Sequence, residues 1–369
     1  MILKRLFSSS SSYLSQSTIY FGENSLNRLS FLRKDPIFIA NALTSPYSKI
    51  IFLNNSNPIV KDNQLYTSNY SQVDYKFRQV LDSWIDSNSK SSNPPLLCHF
   101  LGLSNKHYSP FKYKQYSGIP FFAIELQDHK LSSITSEPAL LELQTREEIN
   151  THLSNHDASI ISQAKMYLNW LQSTKHCQGC GSSTIPIHAG SELLCSSSEQ
   201  IKCPVKTAPV SNASFPRLDP VLITCVVHND HVLFTRNSKF PKGMYTCIAG
   251  FIEPGESIEN AVRREVWEES GLQIDKVEIV QSQPWPFPTN IMIGCIGYVA
   301  ENQNEIELNH DEELQDAQWV HFSKLRELIT NGEENKDLVV LIDGFSMGIP
   351  NDKTLAYQLY KYAVDHIYS

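Results

Sequence analysis

The segment from Gly250 to Leu272, GFIEPGESIENAVRREVWEESGL, constrains this chain more than any other part of it. Pro254-Gly255 makes a turn, and Ser257 just after it is a good N-cap residue. Gly271 stands where a helix ends in a left-handed residue. Between these ends Ile258, Ala261, Val262 and Val266 recur at i, i+3, i+4 and i+8, so one stripe of the helix is apolar and has to be buried. Glu265, Glu268 and Glu269 recur at i, i+3 and i+4 and cluster on another face. Like charges so placed repel by roughly a few tenths of a kcal/mol per exposed pair. The bland reading is an acidic solvated face. The sharper one is a face built for a hard cation, since carboxylate oxygens suit Mg²⁺ or Mn²⁺.

The cysteines give a second constraint. Cys177-Gln178-Gly179-Cys180 is a knuckle followed by Gly181, and 14 residues separate Cys180 from Cys195. Cys203 follows after seven more, a wider gap than the usual two to four. The four are expected to form a closed tetrahedral site for Zn²⁺, structural rather than catalytic. Cys98, Cys225, Cys247 and Cys295 are singletons, read as buried apolar thiols. The 12 histidines offer no pair at ligand spacing.

A chain of 369 residues is long for one core, which predicts two or three domains. We expect a β-rich domain over 1–155, a linking helix and zinc ribbon over 156–212, and an α/β domain over 213–369. Ile37-Phe38-Ile39-Ala40 and Phe121 to Leu126 read as strands, and Asp86 to Pro95 as a polar loop. Ile160, Ile161, Ala164, Tyr167, Leu168 and Leu171 predict a helix over 157–172. Further strands are expected over 221–227, 232–234 and 291–299, and a last helix over about 354–364. Net charge is −8, which argues against an unspecific nucleic-acid binder. No apolar run reaches the ~18 to 20 residues of a membrane helix, so no membrane partner is expected. Met1 to Phe21 carries Lys4, Arg5 and the serine run Ser8 to Ser12, with no acid before Glu23. That composition fits a mitochondrial presequence and also a disordered tail, the reading preferred here. The terminal Ile367-Tyr368-Ser369 is not the usual peroxisomal address, and the compartment stays open among cytoplasm, peroxisome and mitochondrion.

The Gly250–Leu272 segment resembles the Nudix box at every fixed position: Gly250, Glu256, Arg264, Glu265, Glu268, Glu269 and Gly271, with aliphatic Val266 and Leu272. Downstream, Ser282-Gln283-Pro284-Trp285-Pro286-Phe287-Pro288-Thr289-Asn290 resembles the SQPWPxPxS array of NADH pyrophosphatases, with Asn290 in place of the final Ser. Met166 to Leu171, Phe215-Pro216-Arg217-Leu218-Asp219-Pro220 and the Cys180–Cys195 spacing also look like this family, and Phe21 to Arg28 looks like the start of fungal members. The resemblance implies a Nudix α/β/α sandwich with a mixed sheet, a homodimer, and hydrolysis of NADH or NAD⁺ to nicotinamide mononucleotide and AMP. It implies that Mg²⁺ or Mn²⁺ is held by the Ala249 carbonyl, Glu265, Glu269 and a downstream Glu. That residue is Glu313, with Glu312 as rival, and Glu268 is a further catalytic carboxylate. It implies that Arg264 pairs with Glu256 and holds loop to helix. It places Phe215 and Phe251 on either side of the nicotinamide ring, and substrate contacts at Gln283 to Asn290 and at Ala356. Two rivals are weighed: removal of NAD caps from RNA by the same chemistry, and an inactive Nudix adaptor, against which the intact carboxylates speak.

Overall fold

The computed structural model describes residues 19–87, 93–104, 111–127, 129–207, 214–310, 312–335, 339–342 and 345–368. The presequence-like start and the middle of the 86–95 loop lie outside the described residues. Among the described residues no helix is long and apolar enough to cross a membrane.

The first part of the chain builds an eight-stranded sheet around Leu97–Ser104, Pro120–Glu125 and Lys49–Asn54. Lys49–Asn54 runs parallel to Pro120–Glu125, and the other pairings are antiparallel. Every residue of Leu97–Ser104 and Pro120–Glu125 is buried, as expected of strands covered on both faces. The alternation of the strand sends Ile50 and Phe52 to one side and Ile51 and Leu53 to the other. The first side packs against the helices Pro36–Thr44 and Tyr75–Ser87 through Phe38, Leu43, Phe77 and Leu81. The second packs against Asn155–Ser173 through Ile160, Ile161, Ala164 and Leu168.

One element differs from its expectation. Ile37 to Ala40, read as a strand, lies inside the helix Pro36–Thr44. A four-residue apolar run does not separate strand from helix. The local chemistry decides it: the Asp35 carboxylate accepts the N–H of Ile37 and Phe38, each at 3.1 Å, and Pro36 opens the helix with φ already set.

The Asn155–Ser173 helix, N-capped by Ser154, leads into a hairpin of Thr184–Ile187 and Glu192–Cys195. Beyond it a mixed sheet runs in the order Ile274–Trp285, Asn290–Val299, Asp219–His228, His231–Asn237, Leu314–His321, with Ile248–Phe251 paired to Asp219–His228. Asp219–His228 lies parallel to Asn290–Val299 and antiparallel to its other neighbours. The helix Ile258–Ser270 covers one face through Ala261, Val262 and Val266, all fully buried. Leu355–His366 and Phe322–Asn335 cover the other through Tyr360, Leu359, Phe322 and Leu325. This is the three-layer α/β/α arrangement expected.

The two sheets meet at the proline-aromatic loop. Phe21 lies edge-on to Trp285 and Phe287, with centroids 6.2 and 5.9 Å away. The Gln283 amide, fully buried, donates to the carbonyls of Tyr20 (3.0 Å) and Lys353 (2.9 Å) and accepts the Leu355 N–H (2.9 Å). One side chain thereby fastens the start of the chain, the 351–354 turn and the first residue of the last helix.

Candidate active site

The acidic helix is placed by its caps. Ser257 Oγ accepts the Asn260 N–H, and Gly271, at φ 71°, closes the helix with its N–H on the Trp267 carbonyl. With the apolar stripe buried, the carboxylate face turns toward the Ile248–Phe251 strand. A Cβ on Gly250 would lie 2.1 Å from the Glu265 carboxyl carbon, so this carboxylate is pressed against bare backbone.

Arg264 organises the cluster. Its Nε and Nη2 bind both oxygens of Glu256 at 2.7 and 2.9 Å. Nη1 donates to Glu265 (2.9 Å) and Glu268 (3.0 Å), and Nη2 also reaches the Phe251 carbonyl (2.9 Å). These contacts can occupy all five guanidinium hydrogens, in the fork geometry that lysine lacks. The Arg264 pairing holds the Glu256 carboxyl below its ordinary pKa. Glu265 moves the other way: burial raises it, the ion pair with Arg264 opposes, and the charges of Glu268 and Glu313 add to the rise.

A cavity of about 860 Å³ opens beside this helix. Ala249, Glu269 and Glu313 line it, together with Trp285 and Ala356. Glu269 is nearly fully buried. Glu313 is held by Asn237, whose Nδ2 donates to it at 2.8 Å, and Glu312 is not among the lining residues. The oxygen donors suit a hard divalent ion: Ala249 and the buried Glu269 on the cavity wall, and Glu265, raised by burial and further by its like-charged neighbours. Among the described residues, only the cysteine set already has three or more ligand atoms within 4.8 Å of one another; the like-charged glutamates stand further apart.

The structure sorts the remaining expected substrate residues. Strand alternation turns Gln283 and Trp285 toward the cavity and Pro284 to the opposite face. Gln283 frames the wall, its amide being spent on the backbone of Tyr20, Lys353 and Leu355. Phe287, edge-on to Phe21 and Trp285, belongs to the junction, as do the buried Pro286 and Thr289 beside it. Pro284 and Asn290 line a second cavity, and Pro288 is exposed, lining neither. Phe215 and Phe251 are each 59% exposed, outside both cavities and without a ring contact among the described residues. Within the proline-aromatic loop, Gln283 and Trp285 thus line this cavity, Pro284 and Asn290 line the second, and Phe287 packs where the two sheets meet.

Sequence reasoning missed the opposite wall. Arg146 and Asn150, on the helix Arg146–His152 of the first part of the chain, line the same cavity, as do Lys239 and Lys353. The Arg146 guanidinium lies 5.2 Å from the centre of the Trp285 ring. Nothing local in the sequence marks these residues, because their place depends on how the two sheets dock.

The four cysteines Cys177, Cys180, Cys195 and Cys203 converge, all sulfurs lying within 4.8 Å of one another. Cys177–Cys203 and Cys180–Cys195 are 3.6 and 3.5 Å apart. A tetrahedron with metal–sulfur bonds of about 2.3 Å has edges of about 3.8 Å, so the set could hold a metal. The Gly181 N–H, at φ 74°, turns back onto the Cys177 carbonyl at 2.8 Å and forms the knuckle. The Ser182 hydroxyl and N–H bring the Cys180 thiol down to about 6, favouring the thiolate that binds metal. The wide gap before Cys203 is taken up by the 196–202 loop, which returns Cys203 to the site ahead of the short helix Pro204–Thr207. Cys98, Cys225, Cys247 and Cys295 are buried.

A NUDIX domain profile matches residues 219–341, the mixed sheet with its acidic helix. Over 375 aligned residues, 96% of this chain and 97% of the other, the sequence is 32% identical to NAD-capped RNA hydrolase NPY1 of Saccharomyces cerevisiae. The chain belongs to the Nudix hydrolases. It is also 33% identical over 319 residues to the NAD-capped RNA hydrolase of Schizosaccharomyces pombe, covering 81% of this chain and 82% of that protein. To the human NAD(P)H pyrophosphatase NUDT13, mitochondrial, it is 39% identical over 168 residues, covering 45% of this chain and 44% of that one. As a Nudix hydrolase it is an enzyme acting on a pyrophosphate bond, in a family that uses divalent metal.

Proposed function

We propose that this Nudix hydrolase cuts the pyrophosphate of an NAD-type dinucleotide, releasing nicotinamide mononucleotide and AMP. The observation that carries this reading is the shared cavity: Glu269, Glu313 and Ala249 face the same space of about 860 Å³ as the Trp285 ring. That space lies in the range of small-molecule sites, ~300 to 1,000 Å³, and a half-buried indole on its wall offers a flat ring an aromatic neighbour. Glu265, Glu269, Glu313 and the Ala249 carbonyl would hold the divalent ion, Mg²⁺ or Mn²⁺. When bound, it supplies neutralisation of the phosphate oxygens and an acidified water for attack on phosphorus. The protein's own part is positioning. Arg264 holds Glu265 and Glu268 to the Glu256 loop, Asn237 orients Glu313, and burial keeps Glu269 away from bulk water. The cysteine set is assigned to Zn²⁺ as a structural site.

The names of the two fungal relatives favour a second reading, in which the dinucleotide is the 5′ cap of an RNA. The bond cut is the same. Purified protein with Mg²⁺ or Mn²⁺ should be given NADH, NAD⁺, ADP-ribose and NAD-capped RNA, and the products separated by chromatography. Release of nicotinamide mononucleotide from NADH or NAD⁺ supports the first reading. Release from capped RNA alone supports the second, and cleavage of ADP-ribose alone removes both.

A further inference from the structure

The ladder between His231–Asn237 and Leu314–His321 slips by one residue, and the slip lies at the wall of the cavity beside the acidic helix. From His231 opposite His321 to Arg236 opposite Asp316 the two strands run in step. Continued in step, Asn237 would stand opposite Gln315; it stands opposite Leu314 instead. One extra residue, Gln315, is therefore looped out, which makes a β-bulge, a feature that re-aims side chains where a strand borders a site. The bulge is held from both sides. Arg236 Nη1 donates to Gln315 Oε1 at 2.9 Å, and the Tyr245 hydroxyl donates to the Asp316 carboxylate. Its consequence is that Asn237 comes one residue nearer to Glu313.

The Asn237 amide is engaged at both ends. Its Nδ2 donates to Glu313 Oε1 at 2.8 Å, and its Oδ1 accepts the Lys239 N–H at 2.9 Å. The Asn237 carbonyl accepts the Phe240 N–H at 3.1 Å and closes the turn. These partners fix the amide's orientation, because a flipped amide would set its oxygen against a carboxylate and its NH₂ against an N–H. Asp could cap this turn but has no donor for Glu313, and Ser could cap it with a side chain one bond shorter. Asn combines the acceptor and the donor at the reach required. Glu313 is exposed, so packing alone does not hold its carboxylate at the cavity. Glu312, next to it, is exposed as well and lies off the cavity.

We propose that Asn237 is a positioning residue: the bulge carries it to Glu313, and its amide holds that carboxylate in the place from which it would bind the divalent ion. The inference rests on the assignment of Glu313 to that ion. Mn²⁺ binding to the full chain, without substrate, is measured by electron paramagnetic resonance for wild type, Asn237→Ala and Asn237→Ser. Serine keeps an acceptor for the Lys239 N–H and loses the reach to Glu313, so it separates the hold on Glu313 from the turn. Removing a hydrogen-bond partner of a metal-binding side chain typically costs about tenfold to 100-fold in metal affinity, and both variants bind Mn²⁺ more weakly by about that factor. The Mg²⁺ concentration for half-maximal hydrolysis of NADH rises alike, while KM for NADH stays within about twofold. If Asn237→Ala fails to fold, Asn237→Ser decides. Asn237→Ser binding Mn²⁺ within about twofold of wild type overturns the proposal, whatever Asn237→Ala does. Wild-type protein that binds Mn²⁺ and leaves NADH uncut, with Asn237→Ser binding more weakly, strikes the proposed substrate and supports this inference. Wild-type protein that binds no Mn²⁺ overturns the carboxylate assignment and this inference together.

Discussion

Gly250→Ala probes how tightly the catalytic face is set. The added Cβ would stand 2.1 Å from the Glu265 carboxyl carbon and 2.2 and 2.3 Å from its oxygens. Ordinary contact begins near 3.4 Å, so the carboxylate has to retreat by 3.4 − 2.1, about 1.3 Å. The far end of a glutamate usually moves at little cost, but this one is tied to Arg264, which is tied in turn to Glu256, Glu268 and the Phe251 carbonyl. A displacement of about 1 Å in a reacting constellation costs on the order of 100-fold in rate. Overpacking a core costs roughly 1 to 3 kcal/mol, and this site, only half-buried, belongs at the low end. The variant is therefore expected to fold, to lose about 1 kcal/mol in urea unfolding, and to lose about 100-fold in kcat with KM little changed. Steady-state kinetics and denaturant unfolding on the same preparation check both halves. A kcat within threefold of wild type would refute the claim that the position of Glu265 matters.

Three further outcomes follow from the structure. Cys177→Ser should release metal and destabilise the chain, because site and fold are coupled; elemental analysis giving well under one zinc per wild-type chain would contradict the ribbon assignment. Burial raises the Glu125 carboxyl to about 7 from 4.5, so the native state holds this proton more tightly than the unfolded chain does. The stability it contributes is full below 4.5 and is lost as pH rises through 7, about 3 kcal/mol in all. Glu125→Gln should remove that dependence, and parallel pH–stability slopes for the two proteins would refute it. Phe251→Ala should reduce kcat/KM for NADH about tenfold to 100-fold if its exposed ring stacks on the nicotinamide, and should spare ADP-ribose; equal losses on the two substrates would make it a packing residue.

The acidic helix was legible almost completely, because its caps, its apolar stripe and its carboxylate face are all written within 23 consecutive residues. The Arg264–Glu256 pair was implied by the resemblance to the Nudix box, and the structure forms it. The cysteine set was legible from spacing, and the fold absorbed the one irregular gap. What was hidden depends on docking. The hydrogen bonds of Gln283 could not be read from the chain, since its partners Tyr20 and Lys353 lie 263 and 70 residues away. Arg146 reaches the cavity beside the acidic helix only because the two sheets close on Trp285 and Phe287, and no periodicity in the chain encodes that. Ile37 to Ala40 was misread because apolar content was weighed ahead of the Asp35-Pro36 cap.

The central claim is that the carboxylates beside the cavity perform metal-dependent hydrolysis of a dinucleotide pyrophosphate. Glu269→Gln tests it most directly, since the substitution keeps the shape of a nearly fully buried side chain and removes its charge. The measurement is the rate of nicotinamide mononucleotide release from NADH across a Mg²⁺ and Mn²⁺ titration, with folding checked by circular dichroism. A rate lower by orders of magnitude at every metal concentration, in a folded protein, is the predicted result. A near-normal rate at saturating metal would contradict the account.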